Sequence, residues 1–387
     1  MTEGIPKKES TQKADKINMG NKVRILAFYL PQFHPIPEND EWWGKGFTEW
    51  TNVAKARPLF KGHYQPRIPA DLGFYDLRVP ETRIAQAEMA RKYGIEGFIY
   101  WHYWFSGKRL LERPFNEVLS SGEPDFPFCL AWGNESWSGI WHGLSDKILI
   151  KQDYPGKEDY TNHFYALLTA FKDPRYIRID NKPVFYILSP QQIPDYSDFI
   201  ELWNILAREN NLEGIFFVAP AFYPESEAQD LFDFGFNAIN SYRLKESFGK
   251  MKGATIGQRI YRKILRTFRL SEKINYNVYD YEEFIRNFIT EGDRNPVFFP
   301  TIYPSWDNSP RSGSRAMIME NSNPSIFKHH VRAALAVTKD KPLDHRIVFL
   351  KSWNEWAESN YMEPDLKFGL QYLQALKSEV ENFNSYV

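Results

Sequence analysis

Arg346–Trp353 reads RIVFLKSW and runs straight into Asn354-Glu355-Trp356-Ala357-Glu358. The apolar run is too short for a core helix and rich in β-branched and aromatic residues. It reads as a strand buried on both faces that delivers carboxylates and indoles at its C-terminal end. Seven upstream runs share the plan: Val23–Leu30 (VRILAFYL), Glu96–Tyr103 (EGFIYWHY), Pro127–Gly133 (PFCLAWG), Pro183–Ser189 (PVFYILS), Gly214–Pro220 (GIFFVAP), Asn237–Tyr242 (NAINSY) and Pro296–Tyr303 (PVFFPTIY). Each is followed by a loop of polar and aromatic residues.

Segments of helical period lie between them. Pro80 opens one in which Ile84, Ala87, Ala90 and Arg91 follow helical spacing, and Gly94 closes it. Tyr160–Phe171, Asp198–Asn210, Tyr281–Thr290 and Ser325–Thr338 read as amphipathic helices, each preceding a strand. Strands and helices in alternation, with no Gly-x-Gly-x-x-Gly after the first strand, predict an α/β fold of the (β/α)8 TIM barrel type, one catalytic domain over residues 22–387, rather than a doubly wound sheet. Two insertions interrupt the spacing. Pro31–Asp76 is a long βα loop rich in proline and tryptophan, of the kind that carries function. Arg243–Lys273 holds ten Lys or Arg against two Glu, and Ile260, Ile264, Leu265 and Phe268 suggest a basic amphipathic helix.

Composition narrows the function. The formal net charge of −1 argues against a general nucleic-acid partner, and Cys129 alone can form neither an internal disulfide nor a cysteine-rich metal site. There is no P-loop, His-Glu-x-x-His, Gly-x-Ser-x-Gly, Cys-x-x-Cys or Asp-x-Asp, so no cofactor and no metal is expected. Residues 1–21 are polar and lack a secretory apolar stretch; they read as a disordered leader, with Met19 an alternative start and the cytoplasm the expected compartment. The surplus is aromatic: 30 Phe, 22 Tyr and 12 Trp make 17% of the chain. Many of the Trp fall at strand ends beside carboxylates, so the surplus is expected to be largely a sugar-binding wall.

In a barrel the site lies on the βα loops. The first strand carries Tyr29 near its end, and after it come Gln32, His34, Trp42, Trp43, Glu49 and Trp50; after the second, His102 and Trp104; after the third, Trp132, Asn134, Glu135 and Trp137. The seventh ends in Tyr303, Trp306 and Asp307, and the last delivers Asn354, Glu355, Trp356 and Glu358, then Tyr361 and Glu363. Aromatic faces stack on the C–H faces of sugars while carboxylates and amides bond their hydroxyls. Glycosidic cleavage needs one carboxylic acid and one carboxylate, and Glu355 with Glu358, three apart on a loop or first helical turn, are the best pair. Trp353 and Trp356 would desolvate one of them and raise its pKa. Each remaining candidate has a structural alternative. Glu49 binds substrate or anchors its loop; His34 and His102 bond sugar hydroxyls or are satisfied structural histidines; Trp43, Trp104 and Trp137 wall the pocket or belong to the core.

Four stretches carry a family resemblance: Phe28-Tyr29-Leu30-Pro31-Gln32-Phe33-His34-Pro35, Gly46-Phe47-Thr48-Glu49-Trp50, Tyr100-Trp101-His102-Tyr103-Trp104, and Trp353-Asn354-Glu355-Trp356 with Glu358. In that order they resemble the WbsX-like family, related to glycoside hydrolase family 99, over residues 23 to about 375. The resemblance implies a (β/α)8 enzyme acting on α-mannoside-like bonds with retention through a 1,2-anhydro sugar. Glu355 would deprotonate the sugar's own 2-hydroxyl and Glu358 would serve as acid, then base. The chain departs from the hydrolase pattern at Ala357, where that family carries histidine. WbsX-like proteins are commonly labelled glycosyltransferases because they occur with O-antigen and capsule assembly. A sugar-nucleotide transferase and a non-catalytic glycan-binding protein are therefore the alternatives. The expected partner is a glycan or lipid-linked oligosaccharide at the cytoplasmic side of the inner membrane, and residues 243–273 either rest on its anionic surface or form a solvated basic helix.

Overall fold

The computed structural model describes residues 23–139, 147–252 and 276–386. The leader at 1–21 lies outside them, as does the insert beyond residue 252 with its expected amphipathic helix. Eight parallel strands close into a barrel: β1 (Arg24–Tyr29), β2 (Gly97–Phe105), β3 (Phe128–Trp132), β4 (Lys182–Ile187), β5 (Phe216–Ala221), β6 (Ala238–Ser241), β7 (Phe298–Ile302) and β8 (Ile347–Leu350). Each pairs with its neighbour in sequence, and β1 also pairs with β8, in register Arg24↔Ile347 to Ala27↔Leu350. All eight expected strands form, and closure leaves the barrel no open edge.

The expected helices form too. In chain order the helices are α1 (Pro37–Trp43), α2 (Glu49–Lys55), α3 (Pro80–Lys92), α4 (Arg113–Ser121), α5 (Lys157–Lys172), α6 (Tyr196–Glu209), α7 (Pro224–Asp233), α8 (Leu244–Lys252), α9 (Tyr281–Arg286), the single turn α10 (Ser309–Ser312), α11 (Pro324–Ala336) and α12 (Gln371–Tyr386). Proline opens several of them, where its missing N–H costs nothing. Asn323 caps α11 by accepting from Ser325 and Ile326. The helix expected over Tyr281–Thr290 stops at Arg286. Arg243, which opens the basic insert, is fully buried and paired with Glu225, Glu246 and Asp293, so it anchors the insert and is no part of a lipid-facing surface.

The lumen is filled by rings. Phe28 of β1 stacks on Trp101 of β2 at 5.2 Å and meets Tyr186 of β4 at 5.2 Å, contacts between strands that only the interior allows. Tyr29, next in sequence, faces outward and donates through its hydroxyl to Gln86 of α3 at 2.7 Å. Trp132, Trp203, Trp353 and Trp356 are fully buried. The aromatic surplus is therefore mostly barrel filling and strand-to-helix packing, a correction to the expected sugar wall.

Candidate active site

A cavity of about 260 Å³ opens at the C-terminal end of the barrel. The loop after β1 contributes Gln32, Asn39, Trp43 and Glu49, β2 contributes Trp101 and Tyr103, and the loop after β3 contributes Glu135, Ser136, Trp137 and Ser138. Arg311 of α10 and Glu355 and Glu358 after β8 complete it.

The catalytic candidates owe their placement to a tight turn. Asn354–Glu355 pairs antiparallel with Asn360–Tyr361, Trp356–Glu358 forms one 3-10 turn between them, and Ser359 closes it in the left-handed region at φ +51. Asn354 does not reach the cavity; its side chain accepts from the Leu30 amide at 2.7 Å and donates to the Leu30 carbonyl at 3.0 Å, pinning the turn to the end of β1. Glu363 is likewise an anchor. Its buried carboxyl accepts from Trp356 Nε1 at 2.6 Å, Gln86 Nε2 at 2.6 Å and Tyr75 Oη at 2.9 Å. Asp307 holds the neighbouring loop by donating its amide to the Glu358 carbonyl at 2.7 Å and accepting from His63 and Gln65.

One guanidinium then joins three carboxylates. Arg311 Nε lies 2.9 Å from Glu49, Nη1 2.7 Å from Glu358 and Nη2 3.3 Å from Glu355. Burial works against the Arg311 charge, but Glu49, Glu358 and Glu355 outweigh it and hold its pKa well above the ordinary value. Burial pushes the Glu355 carboxyl up to about 7, with Glu358 adding to the rise and Arg311 and Lys351 opposing it. The cavity thus presents two carboxyls on one turn, one of which can exchange a proton near neutrality. Glu135 stands on another wall, taking a hydrogen bond from Ser189 Oγ at 2.6 Å. Trp137 is wedged edge-on against Tyr103 at 4.9 Å, Phe105 at 5.8 Å and Trp42 at 5.9 Å.

Of the residues singled out in the sequence, Gln32, Trp43, Glu49, Glu135, Trp137, Glu355 and Glu358 converge on this cavity. The others lie elsewhere: Tyr29, His102, Trp104 and Trp132 sit on the outer side of a strand, and the rest brace loops or pack in side clusters. His102 shares a 2.8 Å contact with His163 of α5, whose ring stacks on Trp104 at 4.6 Å, and Trp104 Nε1 donates to Asp159. Burial lowers the pKa of both histidines well below the ordinary value, so the pair is neutral and structural. Trp132 packs on His163 and Phe199 in the same layer. Asn134 braces the loops after β3 and β4 through the Ser189 backbone. His34 is buried against the Pro31 carbonyl, and Trp50 donates to the Tyr75 carbonyl beside Phe33 and Trp356. Tyr303 and Trp306 belong to a side cluster with Phe248, Tyr281 and Phe284.

The cavity residues that sequence reasoning missed include Asn39, Trp101, Tyr103 and Arg311. Trp101 and Tyr103 are the alternate residues to His102 and Trp104, so the strand's period of two held the signal once its inward side was known. Arg311 follows Asn308-Ser309-Pro310, a turn that opens directly after the Asp307 already noticed. Among the described residues no three His, Cys, Asp or Glu side chains are placed to hold a metal ion, and no helix is long and apolar enough to cross a membrane.

Three kinds of likeness bear on this geometry. Among solved structures, a glycoside hydrolase-like protein superposes with a TM-score of 0.58 at 17% identity, over 98% of this chain and 97% of that one. The glycoside hydrolase family 99 endo-α-mannosidase of Bacteroides thetaiotaomicron superposes at 0.57 with 14% identity, over 94% of this chain and 98% of that one. These likenesses concern the fold. Two proteins recorded as uncharacterized protein WxcX, from Xanthomonas campestris pv. campestris strains B100 and ATCC 33913, are each 36% identical over 355 residues. Those residues are 91% of this chain and 49% of each relative, so the chain spans about half the length of the curated relatives it matches. A profile described as glycosyltransferase WbsX matches residues 25–376, which takes in every strand of the barrel but its first residue and every residue of the cavity, and the chain belongs to that family.

Proposed function

We propose that the protein is a carbohydrate-active enzyme that cleaves or remodels α-mannoside-like bonds in a polysaccharide or lipid-linked glycan, with retention of configuration. The observation that carries this reading is the Glu355 and Glu358 pair on one turn, joined by Arg311 inside a walled cavity. Glu355 takes the proton of the substrate's 2-hydroxyl as that oxygen attacks C1. The bond from C1 to the leaving oxygen breaks, and Glu358 protonates the leaving oxygen. Glu358 then takes a proton from water, whose oxygen opens the 1,2-anhydro ring at C1, and Glu355 returns its proton to the 2-oxygen. No covalent bond to the enzyme is made, a substrate-assisted variant of the two-carboxylate scheme. Trp43 and Trp137 offer faces for sugar rings and Glu135 an acceptor for hydroxyls.

The charge of the cavity supports a neutral glycan over a sugar nucleotide. Among the described residues its lining carries Glu49, Glu135, Glu355 and Glu358 against Arg311, and that arginine is already engaged by three of the four. A diphosphate there would meet repulsion. The family's description as a glycosyltransferase favours one second reading: the same pair working on an existing glycosidic bond, with an acceptor hydroxyl in place of water. The clustered Lys and Arg that follow Arg243 suit an anionic membrane surface bearing the glycan, each adding roughly 1 kcal/mol there.

The test is incubation with a panel of α-mannans and O-antigen fragments, with NMR of the first product formed. A retained anomer is expected, lost in Glu355→Gln and Glu358→Gln. An inverted first product would exclude the anhydro-sugar route, and turnover surviving in both variants would end the catalytic assignment. Adding an unlabelled acceptor glycan separates hydrolysis from transfer by whether chain length grows.

A further inference from the structure

α1 has one fully buried residue, Asn39, and that residue lines the cavity. Neither Oδ1 nor Nδ2 of its carboxamide has a hydrogen-bond partner among the described residues. An asparagine in a first helical turn can bond the free amides of its own helix, yet α1 carries no side-chain cap. A buried amide without partners costs free energy at both atoms, and a leucine of similar size would pack there without that cost. The single buried position of the helix is therefore filled by a residue type poorly suited to packing alone. Trp43, one turn on, lines the same cavity, so this is the face that α1 turns to it.

The fastenings of α1 show how a ligand reaches the amide. Asn39 is 0% exposed, so in the free chain its amide is sealed just behind the cavity surface. The polar ties of the helix lie on the outside: Glu38 pairs at 2.7 Å with the half-exposed Lys108 beyond β2, and Asp40 accepts from the Gly46 amide at 2.8 Å. Trp42 adds an edge-on contact to Trp137 at 5.9 Å. Exposed ties of this kind hold weakly, so α1 can shift enough to open the amide to the cavity while the barrel stays intact. The carboxamide then selects its partner. It offers one acceptor and one donor side by side in a plane, and two adjacent hydroxyls of a pyranose match it, one donating to Oδ1 and the other accepting from Nδ2. A carboxylate or phosphate would set acceptor against acceptor at Oδ1.

We propose that Asn39 is a specificity-determining residue whose carboxamide binds a pair of adjacent hydroxyls on the sugar seated in the cavity. The proposal rests on the glycan reading above and adds to it the group that reads the sugar. Binding supplies the partners that the free chain lacks, so an analogue missing either hydroxyl leaves half of the amide buried and unpaired.

The full chain, labelled with 15N at asparagine, is titrated with methyl α-mannopyranoside and its monodeoxy derivatives, then with the mannan and O-antigen fragments. Asn39→Leu assigns the Asn39 side-chain signal by its loss, and tryptophan fluorescence reads affinity in every variant. The Asn39 signal is expected to shift on saturation, and two neighbouring deoxy derivatives should bind the native chain about 10-fold more weakly than the parent sugar. Asn39→Leu should lose that preference yet melt at or above the native temperature, because it removes unpaired polar atoms. Lower melting with the sugar preference intact would make the amide structural and overturn the proposal, as would a silent Asn39 signal across the whole panel. Should Asn39→Leu fail to fold, Asn39→Ala carries the same comparison of affinities. A shifted signal with the deoxy penalty, in a chain that turns over no glycan, would leave the amide's role standing and the glycosidase reading without support. Turnover with a silent amide would do the reverse.

Discussion

Arg311 is a single side chain serving three elements, and its geometry gives it more leverage than any other cation in the cavity. Its fork presents separate N–H groups to Glu49, Glu355 and Glu358, and it restrains three like charges that would otherwise repel. Arg311→Met is expected to lower kcat by about 100-fold or more, because buried carboxylates would take up protons or move apart. Arg311→Lys should recover only part of the loss, since an ammonium cannot address three directions in one plane. Full turnover in Arg311→Met, with unchanged melting, would remove the arginine from the mechanism. That two carboxyls reach the cavity was legible in the sequence, since Glu355 and Glu358 stand directly after the last strand. Which side a neighbour faces was not. The second strand, Gly97–Phe105, is GFIYWHYWF, and eight of its nine residues are buried. A run hidden on both faces has no polar alternation to mark the lumen side, so His102 and Trp104 looked as promising as Trp101 and Tyr103.

The elements themselves were easier to read than their aim, because strands buried on both faces and helices opened by proline leave strong local marks. The hairpin after β3, Trp137–Ser138 against Ile148–Ile150, went unread, its ladder being only a few residues long. It is also the element that walls the cavity. Trp137→Ala should raise KM by about 5-fold with little change in kcat, the loss of one aromatic stacking face being worth roughly 1 kcal/mol. Trp104→Phe, which loses a bond to Asp159 and part of the stack on His163 outside the barrel, should leave KM unchanged. Equal KM effects in the two variants would contradict this division of the rings. The strand ends carry a second constraint. A Cβ on Gly97, at the start of β2, would stand 2.5 Å from the Pro127 carbonyl oxygen and 2.8 Å from Ile177 Cδ1. Gly97→Ala should therefore destabilise by about 1–3 kcal/mol in denaturant unfolding, through overpacking at a backbone that cannot retreat.

Across the whole molecule, buried ionisable groups pull stability in opposite directions with pH, and their number decides the outcome. Glu355 and Glu363 are pushed up by burial to about 7 from 4.5, so the folded chain holds protons there that the unfolded chain has shed. Their contribution is complete below about pH 4.5 and is lost as pH rises through 7. Four histidines act the other way. Burial lowers His34, takes His102 and His163 well below 6.5, and takes His330 to about 3. Their contribution is complete above 6.5 and is lost as pH falls. Between pH 5 and 6.5 the unfolded chain gains up to four protons on histidines while the folded chain keeps two on glutamates, so unfolding is favoured by acid. The melting temperature should accordingly rise from pH 5 to about 7 and then level. Two variants separate the contributions in calorimetry at matched ionic strength. Glu363→Gln removes one opposing group and should steepen the rise, while lowering stability at every pH because its amide cannot accept from Trp356, Gln86 and Tyr75 together. His330→Leu removes one driving group and should make the rise shallower. A shallower rise in Glu363→Gln would mean that Glu363 is not a proton-holding group of the fold, and a melting temperature that fell between pH 5 and 7 would mean that the four histidines are not the groups that drive acid unfolding.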